Sequence, residues 1–440
     1  MNETKQRYPS GTLAWYMVVV LTIAYILSFI DRYIFGLLLE PIKADFDLSD
    51  TQMALLGGLA FGIFYATMGL PLGYLADRTR RTWLLTAGIA VWSLATAASG
   101  IAKNFWHLFI ARMSIGAGEA TLGPCAMSMI SDSFPREKRG KPIAFYSAAL
   151  SLGAGIASLV SATVLVWAKS APEISLPLIG VVAPWQLTFI IVGLPGVAVA
   201  ALMLTIREPA RRVSARHTTS SDVAFAFGHL VGHWRVYGSC IAFAAMMIIV
   251  AYSQFFYAAM FQRTWGWEAQ TYALVNGIIL LAVGPATVMT AGILNDRLYR
   301  RGIVDAPLLI MIVGAVLIVP TGILAPFMPS AELAMFVIVF NTIGIATTTA
   351  TSVTALMNIT PAQIRGQTVA VYYFIVSLSG LLLGPTTVGL FSDHVFGNEQ
   401  LNVAEAATTA LYGIPVLLLI PYARRMYRRE HDAQHGTGAG

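Results

Sequence analysis

Charged side chains are scarce in this chain. They make up 11% of its 440 residues, whereas 57% of the residues are hydrophobic. Soluble domains contain about 25% charged residues, and a chain this long and this apolar cannot hide its apolar surface in one aqueous core. The composition therefore excludes an ordinary soluble enzyme and indicates a protein whose solvent is the lipid bilayer.

Cysteine is rare as well, and the motifs of soluble catalysis are missing. Cys125 and Cys240 both lie in apolar runs, so no disulfide framework is expected. No Walker sequence occurs, so ATP does not drive the protein directly, and His229-x-x-x-His233 lacks the glutamate of a zinc protease. We expect no cofactor and no metal.

What the sequence has in abundance is apolar runs long enough to cross a membrane, which takes about 20 residues. Twelve such runs predict an all-α membrane protein: 14–39, 51–76, 82–102, 105–131, 141–168, 185–206, 235–262, 268–294, 305–327, 331–357, 366–391 and 402–423. The longest polar stretch, 207–234, divides them into two sets of six. We therefore predict an N-terminal bundle over 1–206, a linker over 207–234, a C-terminal bundle over 235–423 and a tail over 424–440.

The positions of lysine and arginine predict the orientation of these runs. Counted over alternate loops and the two ends of the chain, 22 of these residues fall on one side and 4 on the other; the 4 are Lys43, Lys103, Lys169 and Arg263. Cytoplasmic loops carry the excess of positive charge. Both termini and the linker are thus expected in the cytoplasm. The net charge of +6 is then a matter of topology and not of nucleic-acid binding.

The two halves share internal motifs. Gly-x-x-x-Asp-Arg occurs at 73–78 and again at 292–297, an offset of 219 residues. Pro-x-x-x-Arg-Gly, followed by Ala and Tyr, occurs at 135–146 and at 361–372, an offset of 226. Two motifs at nearly one offset, in matching loops, indicate a duplication. Parallel six-helix repeats are a transporter architecture with its substrate site at mid-depth.

At these motifs the chain resembles the major facilitator superfamily, whose signature is Gly-x-x-x-Asp-Arg-x-Gly-Arg-Arg between the second and third helices. Here Arg80 replaces the second glycine, and Tyr299 replaces it in the second copy. Three further segments resemble bacterial members of the Spinster family: 30–33 (Ile-Asp-Arg-Tyr), 116–120 (Gly-Ala-Gly-Glu-Ala) and 130–135 (Ile-Ser-Asp-Ser-Phe-Pro). The resemblance implies a twelve-helix transporter fold. It also implies a lipid-like substrate, because animal relatives carry sphingolipids and lysophospholipids.

Four charged residues lie well inside the predicted spans: Asp31, Arg32, Arg112 and Glu119. Each would cost several kcal/mol facing lipid, so each must face a partner or water. Rise along the helix leaves open whether Asp31 pairs with Arg112 or approaches Glu119. We interpret Asp31 and Glu119 as proton-coupling acids; the alternative is a salt-bridge cluster that only joins the first and fourth helices.

The second half lacks comparable charges in the middle of its spans and offers aromatic and amide side chains instead. A charged half facing such a surface suits an amphiphile whose anionic head meets arginine. The predicted substrate-binding residues are Arg32, Arg112, Tyr252, Tyr257, Asn341 and Tyr372.

The repeated loops carry charges that we interpret as a cytoplasmic gate built from ion pairs between helices. The predicted gate residues are Asp77, Arg78, Asp132, Arg139, Asp296 and Arg365. Asn358 replaces the acid in the second copy, so the second network should be the weaker one. The alternative is a set of solvated topology charges.

The function that follows is secondary transport of an amphipathic, anionic, lipid-like substrate by alternating access, coupled to protons. The expected partners are this substrate, protons and membrane lipids, and the protein is expected to work as a monomer. A drug or organic-anion transporter of the same superfamily is the alternative. A lipid enzyme would need a nucleophile or metal cluster at the membrane interface, and none is evident.

Topology is directly testable. Because lysine and arginine are so unevenly distributed, reporter fusions in the linker 207–234 and at the C-terminus should both report the cytoplasm. A signal from the opposite side at either fusion point would contradict the twelve-span arrangement.

Overall fold

The computed structural model describes residues 8–135, 138–171, 175–176, 180–211, 228–361 and 363–435. Among the described residues up to 211, the α-helices are α1 Gly11–Leu37, α2 Leu39–Phe46, α3 Asp50–Ala54, α4 Phe61–Arg78, α5 Arg81–Ser99, α6 Phe105–Glu119, α7 Leu122–Ser133, α8 Gly140–Ser170 and α9 Pro184–Leu204. A π-helical turn, Leu55–Ala60, joins α3 to α4. Strands β1 Ser175–Leu176 and β2 Gly180–Val181 form an antiparallel pair.

The remaining α-helices are α10 Trp234–Ser253, α11 Tyr257–Trp265, α12 Ala269–Arg300, α13 Ala306–Leu324, α14 Ala331–Asn358, α15 Arg365–Phe391 and α16 Leu401–His435. The 3₁₀ turn Gln254–Phe256 joins α10 to α11. A second one, Ala325–Phe327, ends α13. A π-helical turn, Ser392–Phe396, and the 3₁₀ turn Asn398–Gln400 connect α15 to α16. The last helix thus runs on through much of the predicted tail 424–440.

The helices have the length and composition of membrane spans. Eleven of those in the described residues are long and apolar enough to cross a bilayer. Large apolar side chains are among the most exposed ones, including Leu418 at 76%, Met289 at 67% and Trp106 at 64%. A helix satisfies its own backbone hydrogen bonds, so these side chains can face lipid at no polar cost. The chain is an integral membrane protein with multiple spans.

The fourth predicted span, 105–131, is not among these eleven because it is broken into two helices. α6 ends at Glu119 and α7 begins at Leu122. Pro124 follows the break; its ring removes the backbone donor that would bond the carbonyl four residues earlier. Thr121 uses its hydroxyl to bond the Gly118 carbonyl (2.8 Å) at this point. Neither half alone is long enough to span, so the eleven spans that meet the length requirement and this broken one make twelve.

The chain forms two compact units. Unit 1 comprises residues 1–48, 59–216 and 269–281, and unit 2 comprises 49–58, 217–268 and 282–440. The units follow the predicted halves except that each takes in a short segment from the other half's sequence, at the start of the second span and at the start of the eighth.

The duplication is visible in the packing within each unit. In unit 1, a Cβ on Gly118 would lie 2.7 Å from the Gly88 carbonyl, where α5 crosses α6. In unit 2, a Cβ on Gly344 would lie 2.7 Å from the Gly314 carbonyl, where α13 crosses α14. Both pairs are offset by 226 residues, the offset of the second sequence motif. Only glycine lets two helices approach this closely.

These crossings can be tested by adding one methyl group. Gly118→Ala must push α6 away from α5 and should destabilise the protein by about 1–3 kcal/mol, as overpacking does. Gly123→Ala, in the same span, meets nothing within 4 Å and serves as the control. Thermal unfolding in detergent should show a lower Tm for Gly118→Ala alone; equal Tm values for both variants would contradict the crossing.

Candidate functional site

A buried ion pair joins the first and fourth spans in unit 1. Arg32 of α1 donates from Nε (2.8 Å) and Nη2 (2.5 Å) to Oε2 of Glu119 at the end of α6. The Glu119 side chain is 1% exposed and that of Arg32 is 20% exposed. The acid is therefore enclosed by protein, while the base retains one exposed side. This pair is neither of the two pairings that the sequence left open.

Glu119 is only half satisfied. Its Oε2 accepts both bonds from Arg32, while its Oε1 is buried and has no hydrogen-bond partner among the described residues. An unpaired buried carboxylate oxygen loses its hydration without compensation. This oxygen is where a proton would relieve the cost of burial, since protonation removes the charge and supplies a donor.

Aromatic rings surround both guanidinium groups. The Cζ of Arg32 lies 4.7 Å from the ring centroid of Phe61 and 4.8 Å from that of Tyr65. The Cζ of Arg112 lies 4.4 Å from the Phe35 ring and 5.5 Å from the Phe61 ring. The negative ring faces stabilise a desolvated cation. Phe61 contacts both arginines and so forms the centre of the cluster.

Asp31 and Arg112 are buried beside this pair, at 4% and 2% exposure. Arg112 donates from Nη1 to the backbone carbonyl of Asp31 (3.4 Å) and not to its carboxyl. The Asp31 carboxyl faces Thr96 and is close enough to Glu119 for the two charges to interact. The structure thus brings the four predicted residues into one cluster.

Close helix packing places Glu119 there. A Cβ on Gly116 would lie 2.3 Å from the backbone carbonyl of Phe61, so α4 and α6 touch backbone to backbone one turn before the acid. The glycines of the 116–118 segment are therefore needed for the position of Glu119 and of the Phe61 ring.

The predicted residues of unit 2 lie mainly in contacts between helices. Asn341 accepts a hydrogen bond from Gln254 (2.7 Å) and donates to Thr321 (3.1 Å). Tyr372 donates to Ser352 (2.7 Å) and is 5% exposed, Tyr257 is 2% exposed, and Tyr252 is half-buried.

The second half also contains a buried charged residue, outside the middle of its spans, that the sequence analysis did not identify. Glu405 of α16 is 1% exposed and lies inside a candidate span. Sequence reasoning missed it because it stands in the first turns of the last apolar run, where a residue cannot be distinguished from one at the membrane interface. Its position in an otherwise apolar and threonine-rich run was the only available signal.

Arg81 is the main ionic residue on the arginine-rich side of unit 1, although it was not among the predicted gate residues. It is 1% exposed and bonds Asp132 (2.5 Å), Glu208 (2.8 Å) and Ser128 (2.7 Å). These contacts join the start of α5 to α7 and to the segment after α9. The cluster therefore stabilises unit 1 itself.

The other predicted gate residues have different roles. Arg139 donates to the carbonyl of Phe134 (2.8 Å), and Arg365 donates to the carbonyl of Thr360 (3.0 Å), the same five-residue reach in both repeats. Arg78 lies over the Tyr74 ring at 3.8 Å. Asp77 and Asp296 are exposed, and neither has an ion pair among the described residues.

Unit 2 has an ionic cluster at the corresponding place, with the charges exchanged. Asp305, before α13, accepts from Arg424 (2.6 Å) and Arg428 (2.9 Å) near the end of α16. Burial alone would raise the pKa of Asp305, but the bonds from Arg428 and Arg424 outweigh it and hold that pKa below the usual range. In unit 1 the basic residue Arg81 lies at the start of the third span, and in unit 2 the acidic residue Asp305 lies directly before the ninth.

Unit 2 has a further ionic cluster around the start of α3. Arg263 forms a two-pronged pair with Asp50 (2.7 and 2.8 Å). Asp393 accepts from the backbone N–H of Asp50 (3.1 Å) and of Thr51 (2.6 Å), so it caps the helix that begins there. Arg263 was expected to be a topology charge only.

Comparison with known proteins agrees with this architecture. The sequence matches the family model "Major Facilitator Superfamily" over residues 21–432. An "MFS-type efflux pump" of Mycolicibacterium smegmatis is 26% identical over 435 residues, 95% of this chain and 94% of that protein. "Protein spinster homolog 1" of Homo sapiens is 30% identical over 204 residues, 46% of this chain and 36% of that protein.

Solved structures give the same result. A bacterial homolog of the human lysosomal transporter Spinster, in an inward-facing and unoccupied conformation, has a TM-score of 0.77 and 26% identity, and covers 96% of this chain and 98% of that one. A D-xylose-proton symporter has a TM-score of 0.68 at 16% identity and shares the fold alone.

The Arg81 cluster predicts an acid-sensitive stability. Burial alone would raise the pKa of Glu208, but hydrogen bonds from Arg81 and Thr82 lower it below the usual range. A lowered pKa stabilises the fold above the ordinary carboxyl value, about 4.3, and this stability is lost as the pH falls towards the lowered pKa. Glu208→Gln should therefore lower the Tm at pH 7, and the difference from wild type should shrink on acidification.

Asp77→Asn is the matched control, because Asp77 lies on the same side of the unit but is exposed. It should leave the Tm within the error of the measurement. If Glu208→Gln and Asp77→Asn have the same Tm as wild type at pH 7, the cluster contributes nothing to unit 1.

Proposed function

The chain belongs to the Major Facilitator Superfamily, and we propose that it moves an amphipathic, anionic, lipid-like substrate by alternating access, coupled to protons. It is a multi-pass membrane transporter and not an enzyme. We further propose that it works as a monomer in a bacterial inner membrane, with both termini cytoplasmic, and that the six predicted gate residues line the cytoplasmic side.

The half-satisfied carboxylate of Glu119 carries the proposal of proton coupling. Protonation at Oε1 neutralises the acid, and Arg32 then loses its ion-pair partner. Because a buried guanidinium without a counter-charge is costly, an anionic group arriving at Arg32 is favoured once the proton is bound. Proton and anion thus support each other's binding, which is the thermodynamic requirement for coupling. Asp31, close to Glu119, is the second acid available to the same proton.

Arg32 supports the assignment of an anionic head group. Its side chain is 20% exposed, whereas that of Glu119 is 1% exposed, so of this pair the base is the accessible partner. A planar guanidinium binds carboxylate or phosphate with two parallel hydrogen bonds. Phe61 and Tyr65 beside it offer apolar and aromatic surface for the carbon atoms next to such a head.

The relatives favour two substrate classes. The similarity to Spinster homologues is consistent with the lipid-like substrate that the family resemblance implies. The mycobacterial relative, described as an efflux pump, matches nearly the whole chain and keeps the alternative of a drug or organic-anion transporter open. Thermal-shift measurements across lysophospholipids, sphingoid bases and organic anions separate these classes. Stabilisation by anionic lysolipids alone supports the first class, and stabilisation by organic anions alone contradicts it.

Proton coupling can be tested with amide variants. Glu119→Gln and Asp31→Asn keep the shape of each side chain but cannot exchange a proton. Both variants should insert and fold, and both should lose transport driven by a pH gradient in proteoliposomes while keeping substrate exchange without a gradient. Full gradient-driven transport by both variants would leave the cluster as a structural ion pair only.

Arg32→Lys separates substrate binding from coupling. It keeps the charge but loses the two-pronged geometry, so substrate affinity should fall about tenfold, as expected for one lost charge-assisted hydrogen bond. Lys103→Arg, at an exposed loop position, is the control and should bind as wild type does. Unchanged affinity in Arg32→Lys would remove Arg32 from the substrate site.

A further inference from the structure

Glu405 is a buried acid that the proposed mechanism does not use. It lies in the second turn of α16, within unit 2, and is 1% exposed. Both of its carboxyl oxygens are buried, and neither has a hydrogen-bond partner among the described residues. No ion pair among the described residues of unit 2 includes it; Arg263, for example, pairs with Asp50, and Arg424 and Arg428 pair with Asp305.

Such a carboxyl group is much cheaper to bury as a neutral acid than as an anion. A carboxylate moved out of water without a counter-charge is strongly destabilised, and in practice the group takes up a proton instead. The neutral acid needs one acceptor for its O–H. Ser253 lies near the carboxyl but makes no hydrogen bond to it; its hydroxyl donates to the carbonyl of Val250 (2.9 Å), so its oxygen remains available as an acceptor.

The position of Glu405 is as informative as its burial, because it faces a break in the seventh span. α10 ends at Ser253, the 3₁₀ turn Gln254–Phe256 follows, and α11 begins at Tyr257. Ser253 and Tyr257, the residues on either side of the turn, both lie close to the carboxyl. A short 3₁₀ segment inside a longer helix often marks a hinge.

The same arrangement occurs in unit 1. Glu119 is the last residue of α6, directly before the break in the fourth span. Within the described parts of the chain, each unit thus has a buried acid with an unsatisfied oxygen at a discontinuity in a span. The acids differ in their partners, since Glu119 has Arg32, whereas no described cation pairs with Glu405.

The turn Ser392–Phe396, which packs against α16, carries Asp393, bonded to the backbone of Asp50 and Thr51, and His394, which is exposed. Tyr257 is the titratable neighbour on the seventh span and is itself buried. On α15, Thr387 is bonded to Tyr412 of α16 (2.9 Å). α13 contributes no acidic or basic residue. Gln254 of the turn is bonded to Asn341, which fixes the turn to α14.

We propose that Glu405 is a second proton-binding site, held as a neutral carboxylic acid while the turn Gln254–Phe256 is closed over it and deprotonated when that turn opens to water. In that step the O–H bond of the carboxyl breaks, the proton passes to a water molecule, and the carboxylate becomes hydrated. Only the transport readout of this inference rests on the proposed function; the protonation state stands independently of it.

Infrared spectroscopy of the protein in lipid at pH 7 tests the protonation state. The difference between wild type and Glu405→Gln should contain the carbonyl band of a protonated carboxyl group, shifted in D₂O. Glu399→Gln, which removes an exposed acid six residues earlier, should instead remove carboxylate bands. A Glu405 difference that contains only carboxylate bands, or a protonated band that never shifts in D₂O, would overturn the proposal.

The role of the turn is tested by Gln254→Ala, which removes the bond to Asn341. In this variant the protonated band should disappear at a lower pH than in wild type, because the turn opens more readily. An unchanged titration would overturn the link between the turn and the acid.

Glu405→Gln should also lose part of its gradient-driven transport. If Glu119→Gln transports normally while the Glu405 band is present, the proposed function fails and this inference stands; if the band is absent, this inference alone fails.

Discussion

The ion pair between Arg32 and Glu119 is the constraint on which the rest of unit 1 depends. Two opposite charges are held where each alone would cost several kcal/mol, and the structure compensates for them locally. Phe61 and Tyr65 cover the guanidinium, and Gly116 lets the helices approach closely enough for the acid to reach it. Oε1 of Glu119 has no hydrogen-bond partner among the described residues, so this compensation is incomplete.

The two units repeat the same helix-packing contacts, but they do not repeat the same buried charged residues. The glycine crossings at 88 with 118 and at 314 with 344 share one offset, as do the arginine contacts at 139 and 365. At the same offset of 226 residues, Arg112 and Glu119 correspond to Ile338 and Ile345. Duplication thus preserved the packing, while the buried charges were placed separately in each unit.

The sequence predicted the spans, the duplication and the four-residue cluster, because apolar run length and loop motifs are local signals. It could not predict which partners meet. Asp31 and Arg32 are adjacent on one helix but point in directions about 100° apart, so only the rotation of α1 against α6 decides which one bonds Glu119. Arg81 was hidden among neighbouring loop arginines, and its burial follows from the way α7 and Glu208 fold over it. Glu405 was missed because, from the sequence alone, a residue near the end of a span cannot be distinguished from one at the membrane interface.

In the proposed mechanism, Glu119 exchanges its bond with Arg32 for a proton. Infrared difference spectra recorded between pH 8 and pH 5, on wild type and on Glu119→Gln, measure this directly. A protonated carboxyl band should appear in wild type on acidification, be absent in Glu119→Gln, and appear at higher pH in Arg32→Gln, where the stabilising cation is gone. If the band is the same in wild type and Glu119→Gln, Glu119 does not take up the proton and the mechanism is wrong.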